Sequence, residues 1–345
     1  MNGKSLLLRA LRLQPNPRPP VWLMRQAGRY MAEYRAVREN VSFLDLCRNP
    51  RLCAQTMADA VGVLDVDAAI IFSDILPILV PLGFDLEYTP GGGPVIANPF
   101  RGEDDLARIP AAFDPDRIGF VFETVSETRR VIPGEKALIG FAGAPWTLAS
   151  YAVEGGSSRR FIHTKTLMRR NPRLWSALMD RLTDAAAVSL LGQIEAGADA
   201  VQIFDSWAGA LGPADYETYV FPFMEKLLAR LGGRVPVIYF AAGNPALLPA
   251  AARLDADAFG IDWRIPIERA WEIVGASRAV QGNLDPTVLL AGQETIFAET
   301  DRILNAVGSR PGFIFNLGHG VLKETPVENA VALVRRVKEF AVSSS

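Results

Sequence analysis

The chain has 345 residues, of which 49% are hydrophobic and 21% charged, and its formal net charge at pH 7 is −2. This balance is typical of a soluble protein with a large core, and it excludes extensive disorder. The small net charge provides no global field that would attract nucleic acid or an anionic membrane. No apolar run approaches the roughly 20 residues of a membrane span. We therefore expect a cytoplasmic protein with neither a nucleic-acid nor a membrane partner.

Eight short apolar runs recur along the chain, and polar or glycine-rich residues follow each of them at once. Runs that are apolar throughout are typical of strands buried on both faces of a parallel sheet. Stretches between them, such as residues 174–196 and 268–275, have helical periodicity. The runs are residues 21–24, 68–72, 137–141, 200–204, 235–240, 258–261, 279–281 and 313–316.

Eight strand-then-helix units predict an α/β fold, a single-domain (β/α)8 TIM barrel over residues 1–345 with a core of about 20–341. A doubly wound open sheet is the alternative, but it would normally begin with a glycine fingerprint that is missing here. Residues 84–100 contain two short β-like pieces around Pro-Gly-Gly-Gly-Pro and predict a small inserted hairpin. The glycines 91–93 could cradle a phosphate, but the flanking prolines favour a turn.

Barrel enzymes carry their chemistry on the loops that follow the strands, so the residues after each run are the candidates for a site. Arg25 and Arg29 follow the first run, with Gly28 to let the backbone turn between them. Two guanidinium groups at a barrel mouth can clamp carboxylates. The alternative is surface salt bridging to Glu33 or Asp59.

Asp74 directly follows the second run, where a carboxylate is costly unless it caps, pairs or acts. It could N-cap a following helix, although Pro77 would then stand early in that helix. Function and capping are both compatible with this position.

The last run is followed by His319, which has a glycine on each side, so backbone amides there could face an anion. Only one other histidine, His163, occurs in the chain, and Cys47 and Cys53 are six residues apart, which is not a usual zinc spacing. We therefore predict no metal site, and we expect both cysteines to be free thiols.

Tyr151 and Ser206 are weaker candidates when each is considered alone. A tyrosine in such a place is usually a core or rim residue. No Gly-x-Ser-x-Gly elbow surrounds Ser206, which disfavours a hydrolase nucleophile.

Five segments, taken together and in this order, resemble the uroporphyrinogen decarboxylase family. The resemblance extends from about residue 20 to the C-terminal helix, nearly the whole chain. The segments are residues 20–30 (PVWLMRQAGRY), 71–76 (IFSDIL), 140–147 (GFAGAPWT), 281–286 (QGNLDP) and 316–320 (NLGHG).

The resemblance implies a (β/α)8 barrel, paired as a homodimer whose two clefts face each other. It implies the decarboxylation of the four acetate side chains of uroporphyrinogen III to methyls, giving coproporphyrinogen III in haem and porphyrin biosynthesis. No metal or other cofactor is implied. Carried over residue by residue, it implies catalytic roles for Arg25, Arg29 and Asp74, and substrate binding by Arg25, Gln26, Ala27, Gly28, Arg29, Asp74, Tyr151, Ser206 and His319.

One segment departs from the family pattern, in which a lysine commonly stands after the fifth run. Here Ala241 and Ala242 occupy that place, which puts in doubt any role for a cation at this loop.

On this reading, the Asp74 carboxylate accepts hydrogen bonds from pyrrole N–H groups and stabilises a protonated pyrrole ring as carbon dioxide leaves. The residue that delivers the proton stays open, because an arginine is best placed but is a poor acid in water. Two other functions remain as alternatives. One is a corrinoid- or thiol-linked methyltransferase, which needs zinc held by histidine and cysteine, and the other is a non-catalytic porphyrin carrier.

Overall fold

Nine strands occur in the part of the chain that the computed structural model describes, residues 5–89 and 93–340. Seven of them form one parallel sheet in the order β1-β4-β5-β6-β7-β8-β9, and the other two pair with each other. The strands are β1 (Ala68–Ile70), β2 (Leu86–Thr89), β3 (Gly93–Ile96), β4 (Ala137–Gly143), β5 (Ala200–Asp205), β6 (Val237–Ala241), β7 (Ala258–Gly260), β8 (Ala279–Leu284) and β9 (Phe313–Leu317).

A single residue, Val21, joins the two edges of this sheet. Val21 forms a parallel bridge with Phe315 of β9, where the amide of Phe315 donates to Pro20 O at 2.8 Å. On the other side, the amide of Asp67, just before β1, donates to Val21 O at 2.8 Å. The sheet is therefore a closed barrel, as the eight runs predicted.

The first of the eight runs differs from the other seven, because it forms this bridge rather than a strand. The two residues before Val21 are prolines, which have no N–H to donate to a ladder. The side chain of Asp67 compensates, since its Oδ2 accepts from Val21 N at 2.8 Å while Arg18 holds the carboxylate with two hydrogen bonds.

Helices follow the strands and surround the barrel, and the two predicted at residues 174–196 and 268–275 are present as α9 and α13. In the described residues the α-helices are α1 (Leu6–Leu11), α2 (Ala32–Asn40), α3 (Phe43–Cys47), α4 (Pro50–Leu64), α5 (Glu103–Leu106), α6 (Gly119–Val131), α7 (Pro145–Glu154), α8 (Ile162–Arg170), α9 (Pro172–Glu195), α10 (Pro213–Tyr219), α11 (Phe221–Leu231), α12 (Leu248–Ala251), α13 (Ile267–Val274), α14 (Gln293–Val307) and α15 (Val327–Glu339). Short 3₁₀ helices are Pro77–Leu79, Pro115–Ile118, Ala208–Ala210, Pro245–Leu247 and Pro286–Leu290.

Two of the longest helices begin with the same local signal. The side chains of Asn49 and Asn171 each accept a hydrogen bond from the backbone N–H three residues later, and a proline follows each asparagine. Asparagine satisfies an N–H that has no partner within the helix, and proline is well suited to the first helical position. These residues therefore determine where α4 and α9 begin.

The predicted hairpin is present as the antiparallel pair β2 and β3. Its tip, which includes Gly91 and Gly92, lies outside the described residues. Val95 of β3 also bridges to Gly156, and Gly155 O accepts from Ile96 N at 2.9 Å, so the hairpin is attached to the end of α7.

The sheet strands are almost wholly buried, and their side chains belong to one connected hydrophobic cluster. This agrees with the apolar runs from which they were predicted. In the described part of the chain, no helix has the length and apolar character needed to cross a membrane.

Candidate active site

A cleft opens where the strands end, with about 1280 Å³ of empty space including its mouth. Seven of the nine residues predicted to bind substrate line this cleft, although they come from distant parts of the chain. They are Arg25, Gln26, Ala27, Asp74, Tyr151, Ser206 and His319. Gly28 and Arg29 lie in the same turn as Arg25 but are not among the lining residues.

Arg25 stands on a tight turn whose backbone is held from two sides. Its φ is +60°, a left-handed conformation that is uncommon for a residue other than glycine. The preceding residue, Met24, donates its N–H to Asn316 Oδ1 at 3.1 Å and accepts from Val321 N at 2.9 Å. These bonds attach the turn to β9, through Asn316, and to the loop that follows β9, through Val321; the same loop carries His319.

The arginines do not form the alternative surface salt bridges. Neither Arg25 nor Arg29 makes an ion pair with Glu33, Asp59 or any other carboxylate among residues 5–89 and 93–340. Both side chains are exposed. The Arg25 guanidinium is thus available to an anionic ligand in the cleft.

Asp74 both stabilises the local turn and faces the cleft. Its Oδ1 accepts from Leu76 N at 2.9 Å, so that the short 3₁₀ helix Pro77–Leu79 begins one turn later. Burial raises the pKa of Asp74 above its ordinary value, while the Leu76 amide and the positive charge of Arg25 oppose the rise. The N-cap of this 3₁₀ helix is Leu76, and no side chain caps it, so the capping interpretation of Asp74 was wrong: its hydrogen bond stabilises the turn before the helix and occupies one carboxylate oxygen.

Tyr88, from β2 of the inserted hairpin, lies beside Asp74. Burial and the nearby carboxylate raise the pKa of Tyr88, so its hydroxyl stays protonated at neutral pH. Another hairpin residue, Pro94 of β3, lines the cleft, so the hairpin forms part of the cleft wall.

Four phenylalanines form the apolar floor of the cleft: Phe72, Phe141, Phe204 and Phe240. Phe141 and Phe204 meet edge to face with ring centroids 5.6 Å apart, and Phe204 meets Phe240 in the same way at 6.3 Å. Each one ends an apolar run, and this regularity is a signal that the sequence interpretation did not use. An apolar floor strengthens the electrostatic effect of Asp74 on a bound cation, because few polar groups screen it.

Tyr151 and Ser206 lie on the wall of the cleft with Trp207, which the sequence interpretation did not single out. The rings of Tyr151 and Trp207 are 5.7 Å apart. Burial, and to a lesser degree the charge of Asp74, raises the pKa of Tyr151 to about 12. Its hydroxyl is therefore a neutral hydrogen-bond donor at physiological pH.

His319 is neutral at physiological pH. Burial lowers its pKa to about 4, and the positive charges of Arg25 and Arg264 act in the same direction. At neutral pH His319 can therefore donate one imidazole N–H but does not carry a charge of its own.

Arg264 is a further cation at this end of the barrel, beside Arg25 and Arg29, and the sequence interpretation missed it. Asp262 holds its guanidinium at 3.0 Å, and the guanidinium carbon is 4.1 Å from the centroid of the Trp263 ring. Asp262 also accepts from Gly243 N at 2.6 Å, next to the two alanines that replace the family's lysine. The segment Asp-Trp-Arg after the sixth run was the available signal.

The carboxamide of Gln26 is fully buried at the cleft, and neither of its polar atoms has a protein hydrogen-bond partner among the described residues. Asn316 Nδ2, close to the same turn, is also buried and unpaired. Buried polar groups are normally satisfied, so the carboxamide of Gln26, which lines the cleft, is available to bind a polar ligand.

No group of three or more His, Cys, Asp or Glu side chains is arranged to hold a metal ion in residues 5–89 and 93–340. Cys47 and Cys53 are free thiols, as predicted, and both are buried. Burial raises the pKa of both thiols, and that of Cys53 reaches about 12. They are unreactive thiols on α3 and α4, and neither lines the cleft.

Comparison with known proteins gives consistent results over almost the whole chain. The model of the family described as uroporphyrinogen decarboxylase (URO-D) matches residues 2–340. A protein of Roseiflexus sp. (strain RS-1) with the name uroporphyrinogen decarboxylase is 48% identical over 97% of each chain. A protein of Thermus thermophilus with the same name is 48% identical over 98% of each chain.

Among solved structures, a methyltransferase from Methanosarcina mazei superposes with a TM-score of 0.79 at 21% identity, covering 97% of this chain and 98% of its own. This likeness confirms the barrel fold alone. The family match and the close relatives establish the rest: the chain belongs to the uroporphyrinogen decarboxylase family.

Proposed function

We propose that this chain is a uroporphyrinogen decarboxylase, a carboxy-lyase of haem and porphyrin biosynthesis. It converts the four acetate side chains of uroporphyrinogen III to methyl groups and gives coproporphyrinogen III. Family membership supports this activity, and so does a cleft that combines an apolar floor with several hydrogen-bond donors. The observation that carries the proposal is the position of Asp74, a single carboxylate beside the phenylalanine floor and in the field of Arg25.

Asp74 supplies the negative charge that this reaction needs. Protonation of the pyrrole ring gives a cation, which takes up the electron pair of the breaking C–C bond as carbon dioxide leaves. A second proton then converts the resulting methylene to a methyl group, and the ring returns its proton. Asp74 accepts hydrogen bonds from the pyrrole N–H groups and stabilises the cation, by on the order of 4 kcal/mol for charges about 4 Å apart at an effective dielectric of 20.

The remaining cleft residues orient the substrate. Arg25 and Arg29 bind the carboxylate arms that are not reacting, which brings the reacting arm to Asp74. Neutral His319, protonated Tyr151 and Ser206 donate single hydrogen bonds to other arms. Gln26 adds an unpaired carboxamide, while Ala27 and Gly28 let the turn approach the ligand closely.

The reaction requires neither a metal nor an organic cofactor, because the protonated pyrrole ring itself accepts the electrons. We also propose that residues 1–345 form one domain, with a core of about 20–341, and that the protein works in the cytoplasm as a homodimer with facing clefts. Sedimentation velocity tests the dimer. A monomer at micromolar concentration would contradict it.

Anaerobic incubation of the chelator-treated protein with uroporphyrinogen III tests the activity, with the oxidised products separated by chromatography. We expect a ladder of species from eight to four carboxyl groups. Bound but unchanged substrate would indicate a non-catalytic carrier. Decarboxylation that appears only after zinc is added would contradict a metal-free reaction, whereas unchanged substrate together with stoichiometric bound zinc would favour a thiol methyltransferase.

A further inference from the structure

A chain of hydrogen bonds lies behind the cleft wall, among side chains that the proposed reaction does not use. Tyr216 and Tyr239 share a hydrogen bond of 2.9 Å between their hydroxyl oxygens, and Tyr239 donates to Asp205 Oδ2 at 2.9 Å. The hydroxyl of Thr147 donates to Asp205 Oδ1 at 2.7 Å and accepts from Trp207 N at 3.2 Å. All of these side chains except that of Trp207 are fully buried.

The direction of each hydrogen bond follows from the number of protons. Tyr239 has one hydroxyl proton, which it gives to Asp205, so Tyr216 must donate to Tyr239. Thr147 also gives its proton to Asp205, so its lone pair is left to accept the Trp207 N–H. Asp205 therefore orients Thr147, and Thr147 in turn holds the backbone of Trp207.

Burying a carboxylate costs solvation free energy, so a buried carboxylate such as that of Asp205 indicates a role beyond filling the core. Burial raises the pKa of Asp205 to about 6, and the two hydroxyl donors only partly oppose it. No cation forms an ion pair with it among the described residues; its polar side-chain partners are Thr147 and Tyr239. A pair of apolar residues could have filled this space without the loss of solvation.

The loop that Asp205 precedes forms part of the cleft wall. Asp205 is the last residue of β5, and the next two residues, Ser206 and Trp207, both line the cleft. Helix α7 holds Trp207 at two atoms, since Thr147 accepts from its N–H and Trp146 Nε1 donates to its carbonyl oxygen at 2.9 Å.

The same helix carries Tyr151, whose ring contacts the ring of Trp207. Three residues of α7 thus meet one loop residue, and any displacement of that loop moves two cleft-lining side chains together.

We propose that Asp205 and Thr147 are positioning residues that hold Ser206 and Trp207 in the geometry that binds the carboxylate-bearing tetrapyrrole. This inference rests on the proposed function for the identity of the ligand. Neither residue lines the cleft, so both act through the loop.

The network contains a matched pair of variants. Thr147→Val and Tyr239→Phe each remove one hydroxyl that donates to Asp205, but only Thr147 also holds Trp207. We expect Thr147→Val to raise KM for uroporphyrinogen by about tenfold, roughly the loss of one hydrogen bond, whereas Tyr239→Phe stays within about twofold. Thr147→Ser keeps the hydroxyl and should restore the wild-type KM.

Thr183→Val is the control for loss of a buried threonine hydroxyl. Thr183 is equally buried on α9, and its hydroxyl has one hydrogen-bond partner within the described part of the chain, the carbonyl of Met179 in the same helix. Its KM should not change. Equal changes of KM in Thr147→Val and Tyr239→Phe would mean that the network is merely structural, and would overturn the inference.

A second measurement does not depend on activity. In protein labelled with 5-fluorotryptophan, Trp207→Phe identifies the ¹⁹F resonance of Trp207. This resonance should shift or broaden in Thr147→Val and stay in place in Tyr239→Phe. An unchanged resonance in both variants would overturn the inference. This test holds even if the protein does not decarboxylate uroporphyrinogen. If Thr147→Val does not fold, Asp205→Asn replaces it in both measurements. An amide has only one oxygen and cannot accept hydrogen bonds from both Thr147 and Tyr239. An unchanged KM and an unchanged Trp207 resonance in Asp205→Asn would overturn the inference.

Discussion

The side chain of Arg25 lies against Gly320 and fills the space where the Cβ of any other residue at position 320 would have to lie. A Cβ on Gly320 would lie 2.4 Å from Arg25 Cδ and 2.7 Å from Arg25 Cγ, well inside contact distance. Gly320 follows His319 in the loop after β9, so this contact sets the position of the clamp arginine relative to the histidine. Position 320 therefore requires glycine for the Arg25 side chain to approach this loop so closely.

Gly320→Ala should therefore displace Arg25 and weaken substrate binding while the barrel still folds. Loss of one charged hydrogen bond of about 1.5–3 kcal/mol predicts an increase in KM of about tenfold or more. Gly62→Ala is the control, since a Cβ on this helical glycine meets nothing within 4 Å. An unchanged KM in Gly320→Ala would show that Arg25 can bind substrate from another position.

Arg29→Ala tests whether the second arginine binds substrate together with Arg25, since Arg29 is not among the residues that line the cleft. We expect weaker binding of substrate and product alike, by about tenfold, because both carry carboxylate arms. Product affinity can be measured by fluorescence quenching. Arg51→Ala removes an exposed arginine on α4 as a control for overall charge. Wild-type affinity in Arg29→Ala would exclude Arg29 from the clamp.

Asp74→Asn should fold normally and lose most turnover. The amide oxygen can still accept from the Leu76 N–H, so the local turn is kept, but the negative charge is lost. The loss of about 4 kcal/mol of cation stabilisation corresponds to roughly a thousandfold in kcat.

Asp255→Asn, at a carboxylate that is 94% exposed, controls for the loss of an acidic residue. Single-turnover rates and thermal unfolding of the three proteins separate chemistry from folding. Turnover near the wild-type rate in Asp74→Asn would rule out the role proposed for its charge.

Much of the fold was predictable because strands buried on both faces must be apolar throughout. Seven of the eight runs became strands of the barrel, and their ends located Asp74, Ser206 and His319. The exception is the first run, where prolines reduce the strand to the bridge at Val21 and the side chain of Asp67 replaces the missing ladder. Apolar character alone does not reveal how many backbone hydrogen bonds a run can form.

The cleft itself was less predictable, because it depends on contacts between distant segments. The same apolar character describes Phe204 and a fully buried core residue, and only the packing of neighbouring strands places its ring on the cleft floor. The neutrality of His319 likewise depends on its burial and on the charges of Arg25 and Arg264, which come from other loops. Sequence spacing contains no information about such distances.

His319 and Asp205 should give the free energy of unfolding opposite dependences on pH. The pKa of His319 is about 4 in the folded protein and 6.5 in an unfolded chain, so the unfolded state binds more protons between these values. Acidification from pH 6.5 to 4 therefore destabilises the fold, by about 3 kcal/mol from this group. The pKa of Asp205 is about 6 when folded and 3.8 when unfolded, so raising the pH from 4 to 6 destabilises the fold by a similar amount.

The two effects largely cancel in the wild type, and single variants should reveal them. The difference in free energy of unfolding, variant minus wild type, should be more positive at pH 4.5 than at pH 7 for His319→Gln. For Asp205→Asn the same difference should be more positive at pH 7 than at pH 4.5. Urea unfolding at both pH values measures each difference, and His163→Gln, at an exposed position on α8, controls for the loss of a histidine. If the difference between His319→Gln and the wild type were the same at both pH values, folding would not be shifting the pKa of His319, and burial would not be keeping its imidazole neutral at pH 4.5.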